Sequence, residues 1–256
     1  MQKYKNPEKK NRGAEKQHKT TIFCYCIKVS IVSIKARFLN SVVRILFRLT
    51  CTIDTHEFEK IPAEGPGILL TNHTTNLEGP LYYVFLRSRK ATALGKQELW
   101  ENRFTRMFME AWNVIPLHRG RVDSAAMNQA MERLDQGWFL GVAAEGTRSK
   151  TGQLKSGQPG AAMLAARKHV PVYPLVHWGL MDIGTNLKRF KRTHVGVKAG
   201  KPFYVEVPDG DPNRMQLKDI TNEMMYQLAA VLPERYRGAF SDFSQATTTY
   251  LRFVEE

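Results

Sequence analysis

The pattern of apolar and polar positions divides the chain into an N-terminal segment of interrupted apolar runs and a longer part of alternating elements. Beyond position 51, short apolar runs of strand length are separated by stretches with helical spacing. The predicted strands cover residues 67–71, 91–94, 114–117, 138–143, 170–176 and 193–199, with a further strand at 203–207. The predicted helices cover residues 77–87, 98–112, 124–135, 159–168 and 216–232. This alternation predicts an α/β fold with a central, mostly parallel or mixed sheet flanked by helices.

The segment over residues 20–51 is apolar but carries a positive charge every few positions. On a helix, these charges fall on two nearly opposite faces: Lys28 and Lys35 on one, and Arg37, Arg44 and Arg48 on the other. A bilayer-crossing helix tolerates few charges, so the pattern predicts two short amphipathic helices that lie on a membrane surface. Packing of these helices on the soluble core and an uncleaved signal sequence are the alternatives.

The chain is predicted to have one folded domain with an N-terminal extension. Residues 1–19 are polar and basic and cannot offset their ordering entropy by burial, so they predict a disordered arm. Residues 20–51 are the predicted membrane-anchoring helices. Residues 52–256 are long enough for one sizeable core and form the predicted catalytic domain.

Net charge narrows the choice of partner. The formal charge is +14, and residues 1–51, with twelve Lys or Arg against two Glu, account for +10 of it. A basic chain calls for an anionic partner such as nucleic acid, anionic lipid or a phosphorylated substrate. Because the excess lies in the arm and the apolar helices, and no nucleic-acid recognition motif is present, an anionic bilayer surface is the predicted partner.

No metal or cofactor is predicted. The three cysteines, Cys24, Cys26 and Cys51, lie in one apolar region without the histidines of a zinc site, and are predicted to be reduced thiols in a cytoplasmic protein. The chain has neither a dinucleotide glycine fingerprint nor a nucleotide phosphate-binding loop. The pattern gives no indication of oligomeric state.

Asn72 and His73 follow a predicted strand, and Glu78 lies five positions after the histidine, inside the next helix. The carboxyl end of a strand is where α/β proteins place their sites. A neutral imidazole can take a proton from an alcohol while a carboxylate on its other nitrogen fixes the tautomer. His73 is therefore a candidate general base oriented by Glu78. The alternative is a capping box over residues 75–78 with a purely structural His73.

A second candidate segment, Glu145-Gly146-Thr147-Arg148-Ser149, directly follows another predicted strand. Its backbone donors and the Arg148 guanidinium are suited to a phosphate group. An ordinary β-turn with a solvent-facing ion pair is the alternative. Two further strand ends, at residues 114–119 and 170–174, lie upstream and downstream in the same order.

Together these four blocks resemble the glycerophospholipid acyltransferase family, typified by 1-acylglycerol-3-phosphate acyltransferases. The family's first motif is Asn-His followed after four residues by Asp, which Asn72 and His73 match. Arg119 corresponds to the second motif, residues 145–149 carry the third intact, and residues 170–174 correspond to the fourth. The resemblance has motif support over about residues 68–176.

The resemblance implies an O-acyltransferase that moves a fatty acyl group from acyl-CoA or acyl carrier protein to the free hydroxyl of lysophosphatidic acid. His73 and Glu78 are then catalytic. The residues expected to hold the acceptor are Arg119, Glu145, Gly146, Thr147, Arg148, Ser149 and Lys155. The expected location is the cytoplasmic face of a membrane, as a peripheral or monotopic protein.

The departure from the family pattern is Glu78, which stands where the family has aspartate. One extra methylene moves a carboxylate by about one carbon–carbon bond, and a misplacement of ~1 Å can lower a rate ~100-fold. Either the backbone compensates or the activity differs. The alternatives are therefore another lysophospholipid acceptor or a non-catalytic, lipid-binding member of the family.

Overall fold

The computed structural model describes residues 36–86, 90–118, 120, 123–208 and 211–255. The strands are β1 (Cys51–Ile53), β2 (Gly67–Thr71), β3 (Ala91–Lys96), β4 (Ile115–Leu117), β5 (Phe139–Ala143), β6 (Val172–Trp178), β7 (Thr193–Ala199), β8 (Phe203–Val205) and β9 (Leu251–Phe253). The helices are α1 (residues 36–50), α2 (Glu78–Phe85), α3 (Arg103–Ala111), α4 (Ser124–Asp135), α5 (Gly160–Lys168), α6 (Ile183–Lys188) and α7 (Arg214–Val231). Short 3-10 helices span His56–Lys60, Gln97–Trp100, Leu180–Asp182, Glu234–Tyr236, Gly238–Phe240 and Phe243–Gln245.

The strands form one mixed sheet in the order β1-β7-β6-β2-β5-β3-β4, with β8 pairing with β6 and β9 with β8. The central strands β6, β2, β5, β3 and β4 are all parallel to their neighbours in this row. Strand β7 is antiparallel to β6, and β8 and β9 are antiparallel additions. This arrangement confirms the predicted α/β fold with a mixed sheet flanked by helices.

Burial explains why the central strands are continuous apolar runs. All five residues of β2 are buried, because helices cover both faces of the sheet at this point. On one face, α4 contributes Ala126, Ala130 and Leu134, which recur every four positions and pack against the core formed with α5 and α7. Full burial of a leucine-sized side chain such as Leu134 contributes about 1.5–3 kcal/mol.

Helices α1 and α2 cover the opposite face of the sheet. The aromatic ring of Phe47 is buried there against Phe85, and the Phe58 ring stacks on Phe85. The Arg44 guanidinium donates to the carbonyl of Val84 at the end of α2. These contacts fix α1 to the domain through one of its faces.

The described part of α1 belongs to the predicted anchor over residues 20–51. Its outer face carries a row of exposed apolar side chains: Phe38, Val42, Ile45, Leu46 and Leu49. Among the residues that the structure describes, none of the helices is long and apolar enough to cross a bilayer. Residues 1–35 lie outside the described part, so the disordered arm and the first of the two predicted anchor helices remain predictions.

Candidate active site

The site lies at the edge of the sheet where the parallel strands end. His73 comes two residues after β2, and Glu145 comes two residues after β5. His177 lies near the end of β6, which pairs with β2 on the other side. Because parallel strands end on the same side of a sheet, residues more than 100 positions apart meet at this edge.

The structure brings His73 and Glu78 into contact, with 2.9 Å between His73 Nδ1 and Glu78 Oε2. Glu78 is the first residue of α2, where the helix dipole favours a negative charge. Although burial alone raises it, hydrogen bonds and charge from His177 and His73 hold the pKa of Glu78 well below its usual range. Glu78 is therefore an ionised, buried partner of the His73 imidazole.

The second oxygen of Glu78 binds the backbone at the start of the same helix. Glu78 Oε1 accepts hydrogen bonds from the backbone N–H of Thr74, at 2.7 Å, and from that of Thr75. The Thr74 hydroxyl also donates to Oε1, at 3.0 Å. The structural role of Glu78 and its predicted catalytic role are thus compatible, since one oxygen closes the turn and the other meets the histidine.

The backbone of His73 is held on both sides by the segment over residues 145–149. Its N–H donates to Glu145 Oε1 at 2.8 Å, and its carbonyl accepts from the N–H of Ser149 at 2.7 Å. Glu145 Oε2 accepts from the N–H of Lys155 at 3.1 Å. Burial raises the pKa of the Glu145 carboxyl. Glu145 is therefore not part of a solvent-facing ion pair; it lies buried behind His73.

A tight turn shapes this segment. Gly146 has a φ of +67°, its N–H donates to the Ala143 carbonyl at 3.0 Å, and a Cβ there would lie 2.7 Å from Gln158 Cγ. Only glycine adopts this conformation at little cost and leaves room for Gln158. The hydrogen-bonded turn therefore spans residues 143–146, where β5 leads into the segment.

The remaining predicted residues of this segment lie on its outer side. Thr147 and Arg148 are exposed, and Lys155 Nζ donates to the Thr147 hydroxyl at 2.7 Å and to the Arg148 carbonyl at 3.1 Å. Lys155 therefore braces the loop. Within the described part of the chain, the Arg148 guanidinium has no hydrogen-bond or ion-pair partner, so it is available to an anion. Arg119 lies outside the described residues.

Sequence analysis missed His177, a completely buried side chain in β6. Asn72 binds the backbone of this residue with both ends of its amide: Nδ2 donates to the His177 carbonyl at 2.9 Å, and Oδ1 accepts from its N–H at 3.0 Å. The Asn72 amide thus acts as one more peptide group after β2 ends. In the sequence, His177 could have been noticed only as a titratable residue within a predicted apolar strand.

No site for a metal ion is formed by the described residues, since they contain no group of three or more histidine, cysteine and acidic side chains placed to share one. The His73–Glu78 pair is suited to acid–base chemistry. A histidine with one nitrogen on a buried carboxylate can accept a proton through the other. Among the described residues, nothing hydrogen-bonds to His73 Nε2, and the side chain is 16% exposed.

Residues 52–178, which hold the parallel strands β2 to β6 and the histidine–carboxylate pair at their carboxyl edge, match the family model described as Acyltransferase. The matched region contains His73, Glu78 and the segment over residues 145–149. The chain belongs to the glycerophospholipid acyltransferase family.

Individual relatives agree with this assignment. LPAT1, a chloroplastic 1-acyl-sn-glycerol-3-phosphate acyltransferase of Arabidopsis thaliana, is 28% identical over 143 residues, which are 52% of this chain and 40% of that protein. The Dictyostelium discoideum protein named Taffazin is 27% identical over 260 residues, covering 81% of this chain and 91% of its own length. The alignment thus spans less than half of the chloroplast relative.

A solved structure shows the same fold. The crystal structure of the 1-acyl-sn-glycerophosphate (LPA) acyltransferase PlsC from Thermotoga maritima superposes with a TM-score of 0.56 at 25% sequence identity. The match covers 73% of this chain and 75% of that one.

Proposed function

We propose that this chain is an O-acyltransferase that transfers a fatty acyl group from acyl-CoA or acyl carrier protein to the free hydroxyl of lysophosphatidic acid, forming phosphatidic acid. The observation that carries this proposal is the His73–Glu78 pair, 2.9 Å apart at the carboxyl edge of the sheet. Family membership supplies the reaction class, and the pair supplies a base for it.

In the proposed step, His73 Nε2 takes the proton of the acceptor hydroxyl as its oxygen attacks the thioester carbonyl. The new carbon–oxygen bond forms, the carbon–sulfur bond of the resulting tetrahedral species breaks, and the proton passes from His73 to the departing thiolate. Glu78 stays ionised throughout and stabilises the imidazolium that forms between these two transfers. Such general base catalysis contributes ~100-fold to ~10,000-fold to a rate.

The acceptor phosphate is assigned to the arginines of the second and third motifs, Arg119 and Arg148. The exposed Arg148 guanidinium next to the His73 loop supports this assignment, since guanidinium groups bind phosphate oxygens bidentately. Thr147, Gly146 and Lys155 shape the loop that carries Arg148. Glu145 and Ser149 contribute to the same site from behind, by holding the His73 backbone.

We further propose that the protein works at the surface of a bilayer, with the exposed apolar row of α1 lying in the interface. Phe38, Val42, Ile45 and Leu49 recur at helical spacing on the face directed away from the domain. Each methylene drawn from lipid into water costs ~0.8 kcal/mol, so a long-chain acceptor is best collected where it already lies. The peripheral location proposed here needs no spanning helix.

A second exposed apolar side chain supports the proposal that this end of the domain faces the bilayer. Phe190, in the turn between α6 and β7, is 99% exposed and is flanked by Lys188, Arg189, Lys191 and Arg192. The Arg192 guanidinium donates to the carbonyls of Arg48, at 2.7 Å, and Cys51, so this turn lies beside the end of α1. A fully exposed phenylalanine among four cations suits an anionic bilayer surface.

A related candidate is acyl transfer to a different lysophospholipid. Two observations favour it: Glu78 replaces the family aspartate, and the relative that aligns over 91% of its length is the Dictyostelium Taffazin, whereas the chloroplast 1-acyl-sn-glycerol-3-phosphate acyltransferase aligns over 40%. The chemistry at His73 would be the same, and the headgroup contacts would differ.

The test is acyl transfer on mixed vesicles that contain lysophosphatidic acid or lysophosphatidylcholine, with acyl-CoA and acyl carrier protein as alternative donors. We expect product from lysophosphatidic acid with the wild-type chain and none above background with His73→Ala. Transfer to lysophosphatidylcholine alone would replace the first acceptor with the second. Wild-type protein that is folded, binds the vesicles and transfers nothing with any combination would contradict the proposed function.

A further inference from the structure

The proposed mechanism leaves one buried titratable side chain unused, the imidazole of His177. Its Nε2 lies 3.3 Å from Glu78 Oε1 and 3.1 Å from the Thr74 hydroxyl. Its Nδ1 lies 2.7 Å from the Tyr82 hydroxyl. A polar ring with no exposed surface is costly unless both nitrogens are hydrogen-bonded, and here both have partners.

The direction of these hydrogen bonds follows from the groups present. An ionised carboxylate only accepts, and the Thr74 hydroxyl already donates its proton to Glu78 Oε1. His177 Nε2 must therefore carry a proton and donate it towards Glu78 and Thr74. Burial raises the pKa of Tyr82 well above its usual range, so its hydroxyl stays protonated beside Nδ1.

His177 is held by two neighbouring elements, at its backbone by the end of β2 and at its ring by α2. Asn72, at the end of β2, binds its backbone N–H and carbonyl. Tyr82, in α2, holds the ring at Nδ1 and is itself bound to the Leu175 carbonyl at 3.0 Å. Because the His177 ring is fixed, its Nε2–H group cannot move with the carboxylate if Glu78 changes rotamer. This donor therefore favours one position of the Glu78 carboxylate.

We propose that His177 is a positioning residue that holds Glu78 Oε1, so that Oε2 meets His73 Nδ1. This role rests on the proposed function, in which His73 is the base. It also accounts for glutamate in place of the family aspartate: the longer side chain has one more rotatable bond, and a fixed donor on its far oxygen removes that freedom. His177 touches Glu78 and not the reacting atoms.

Two amide substitutions separate the roles of the two ring nitrogens. His177→Gln places an N–H group near the position of Nε2, within reach of Glu78. His177→Asn is shorter and reaches only the Tyr82 side. Both replace a buried ring by a smaller polar group, so each serves as the matched control for the other in urea and thermal unfolding.

The expected result is that His177→Gln keeps most of the wild-type turnover, whereas His177→Asn lowers kcat about tenfold to hundredfold. This range corresponds to the loss of one hydrogen bond to a charged group. The KM for the acceptor should change little, because His177 lies beneath Glu78. Equal kcat values for the two variants, or wild-type kcat in His177→Asn, would overturn the proposal.

A double-mutant cycle tests whether the effect passes through Glu78. With Glu78→Gln present, His177→Asn should cause little further loss of kcat, because the carboxylate it positions is already absent. If the two losses multiply instead, His177 supports the site by packing alone, and the positioning role is wrong.

A third measurement is independent of activity. In protein labelled with ¹⁵N-histidine, long-range ¹H–¹⁵N spectra report which ring nitrogens carry protons. We expect a protonated His177 Nε2 whose signal moves in Glu78→Gln together with those of His73. An unprotonated Nε2, or a signal unchanged in Glu78→Gln, would reject the proposal. If the wild-type chain showed no activity in any transfer assay, the proposed function would be refuted. The spectra would still show whether His177 Nε2 donates to Glu78.

Discussion

Two of the histidine–carboxylate pairs that the described residues form at the carboxyl edge of the sheet share the same spacing of five positions. His73 and Glu78 follow β2, while His118 and Asp123 follow β4. In both pairs the histidine Nδ1 lies 2.9 Å from a carboxylate oxygen, and in both the carboxylate stands at the start of a helix. By sequence spacing and by distance, the two pairs cannot be told apart.

They differ in exposure and in what else binds the carboxylate. The His118 side chain is 49% exposed, against 16% for His73. Asp123 caps α4, where Oδ1 accepts from the Ala126 N–H at 3.1 Å, and Oδ2 also accepts from the His118 N–H at 2.9 Å. These backbone hydrogen bonds, with the His118 ring, hold the pKa of Asp123 below its usual range.

Separation alone therefore does not single out the proposed base from a second histidine–carboxylate pair. Solvent around the exposed His118 ring weakens its electrostatic interaction with Asp123. The interaction between His73 and Glu78 is screened less, because the His73 side chain is more buried. The His73 backbone is also bound at both its N–H and its carbonyl. Burial and backbone support, rather than spacing, distinguish the proposed catalytic pair from a helix cap.

The sharpest way to break this comparison is to remove each imidazole in turn. His73→Ala should lower kcat by ~100-fold to ~10,000-fold, because the general base is lost, and should leave the fold and vesicle binding intact. His118→Ala should retain turnover close to wild type at saturating acceptor. Steady-state transfer assays on mixed vesicles measure both. A large loss of kcat in His118→Ala with little loss in His73→Ala would identify His118 as the base and contradict the proposed role of His73.

A smaller effect, on stability, is expected from removing the Asn72 amide that holds the His177 backbone. Asn72→Ala leaves the buried N–H and carbonyl of His177 without their partners, which should lower the free energy of unfolding by about 1–3 kcal/mol. Urea unfolding followed by circular dichroism measures this change. The matched control is Asn128→Ala on the exposed face of α4, for which we expect a change within about 0.5 kcal/mol. Equal stabilities would mean that the Asn72 amide adds nothing to the sheet edge.

The smallest effect is expected at the His118–Asp123 pair. Asp123→Ala removes a helix cap and should lower Tm by about 2–4 °C with little change in kcat. Asp123→Asn should keep the Tm close to wild type, since asparagine caps helices as well as aspartate does. Thermal unfolding and transfer assays on the same samples compare the two. A loss of kcat in Asp123→Asn comparable to that in His73→Ala would show that the His118–Asp123 pair is needed for the reaction.

The fold could be predicted from sequence wherever burial leaves a clear period. The bounds of β2, β7 and α4 match the apolar pattern residue for residue, because each element is packed against a core along its whole length. Strands β1 and β9, with three residues each, were not predicted, whereas β4 and β8 are equally short but lie in the apolar runs 114–117 and 203–207. The apolar pattern assigns Cys51 to the anchor segment, whereas in the structure it begins β1 beside Thr193.

The candidate site was predictable only where it is local in sequence. His73 and Glu78 are five positions apart, and residues 145–149 form one motif, so both could be read directly. The bonds from Glu145 and Ser149 to the His73 backbone join residues more than 70 positions apart. His177 lies 104 positions beyond His73 and is surrounded by apolar residues. Only the sheet order β6-β2-β5 brings these groups together.

The sharing of one carboxylate between two imidazoles has a consequence for how this protein can evolve. A change of Glu78 to aspartate would draw the carboxylate away from His177 by about one carbon–carbon bond and leave a buried ring with one partner fewer. A change of His177 alone would leave Glu78 Oε1 with only the donors of its own turn, Thr74 and Thr75. Selection should therefore act on positions 78 and 177 as a pair, and lineages that carry aspartate at the first should be free to replace the histidine at the second.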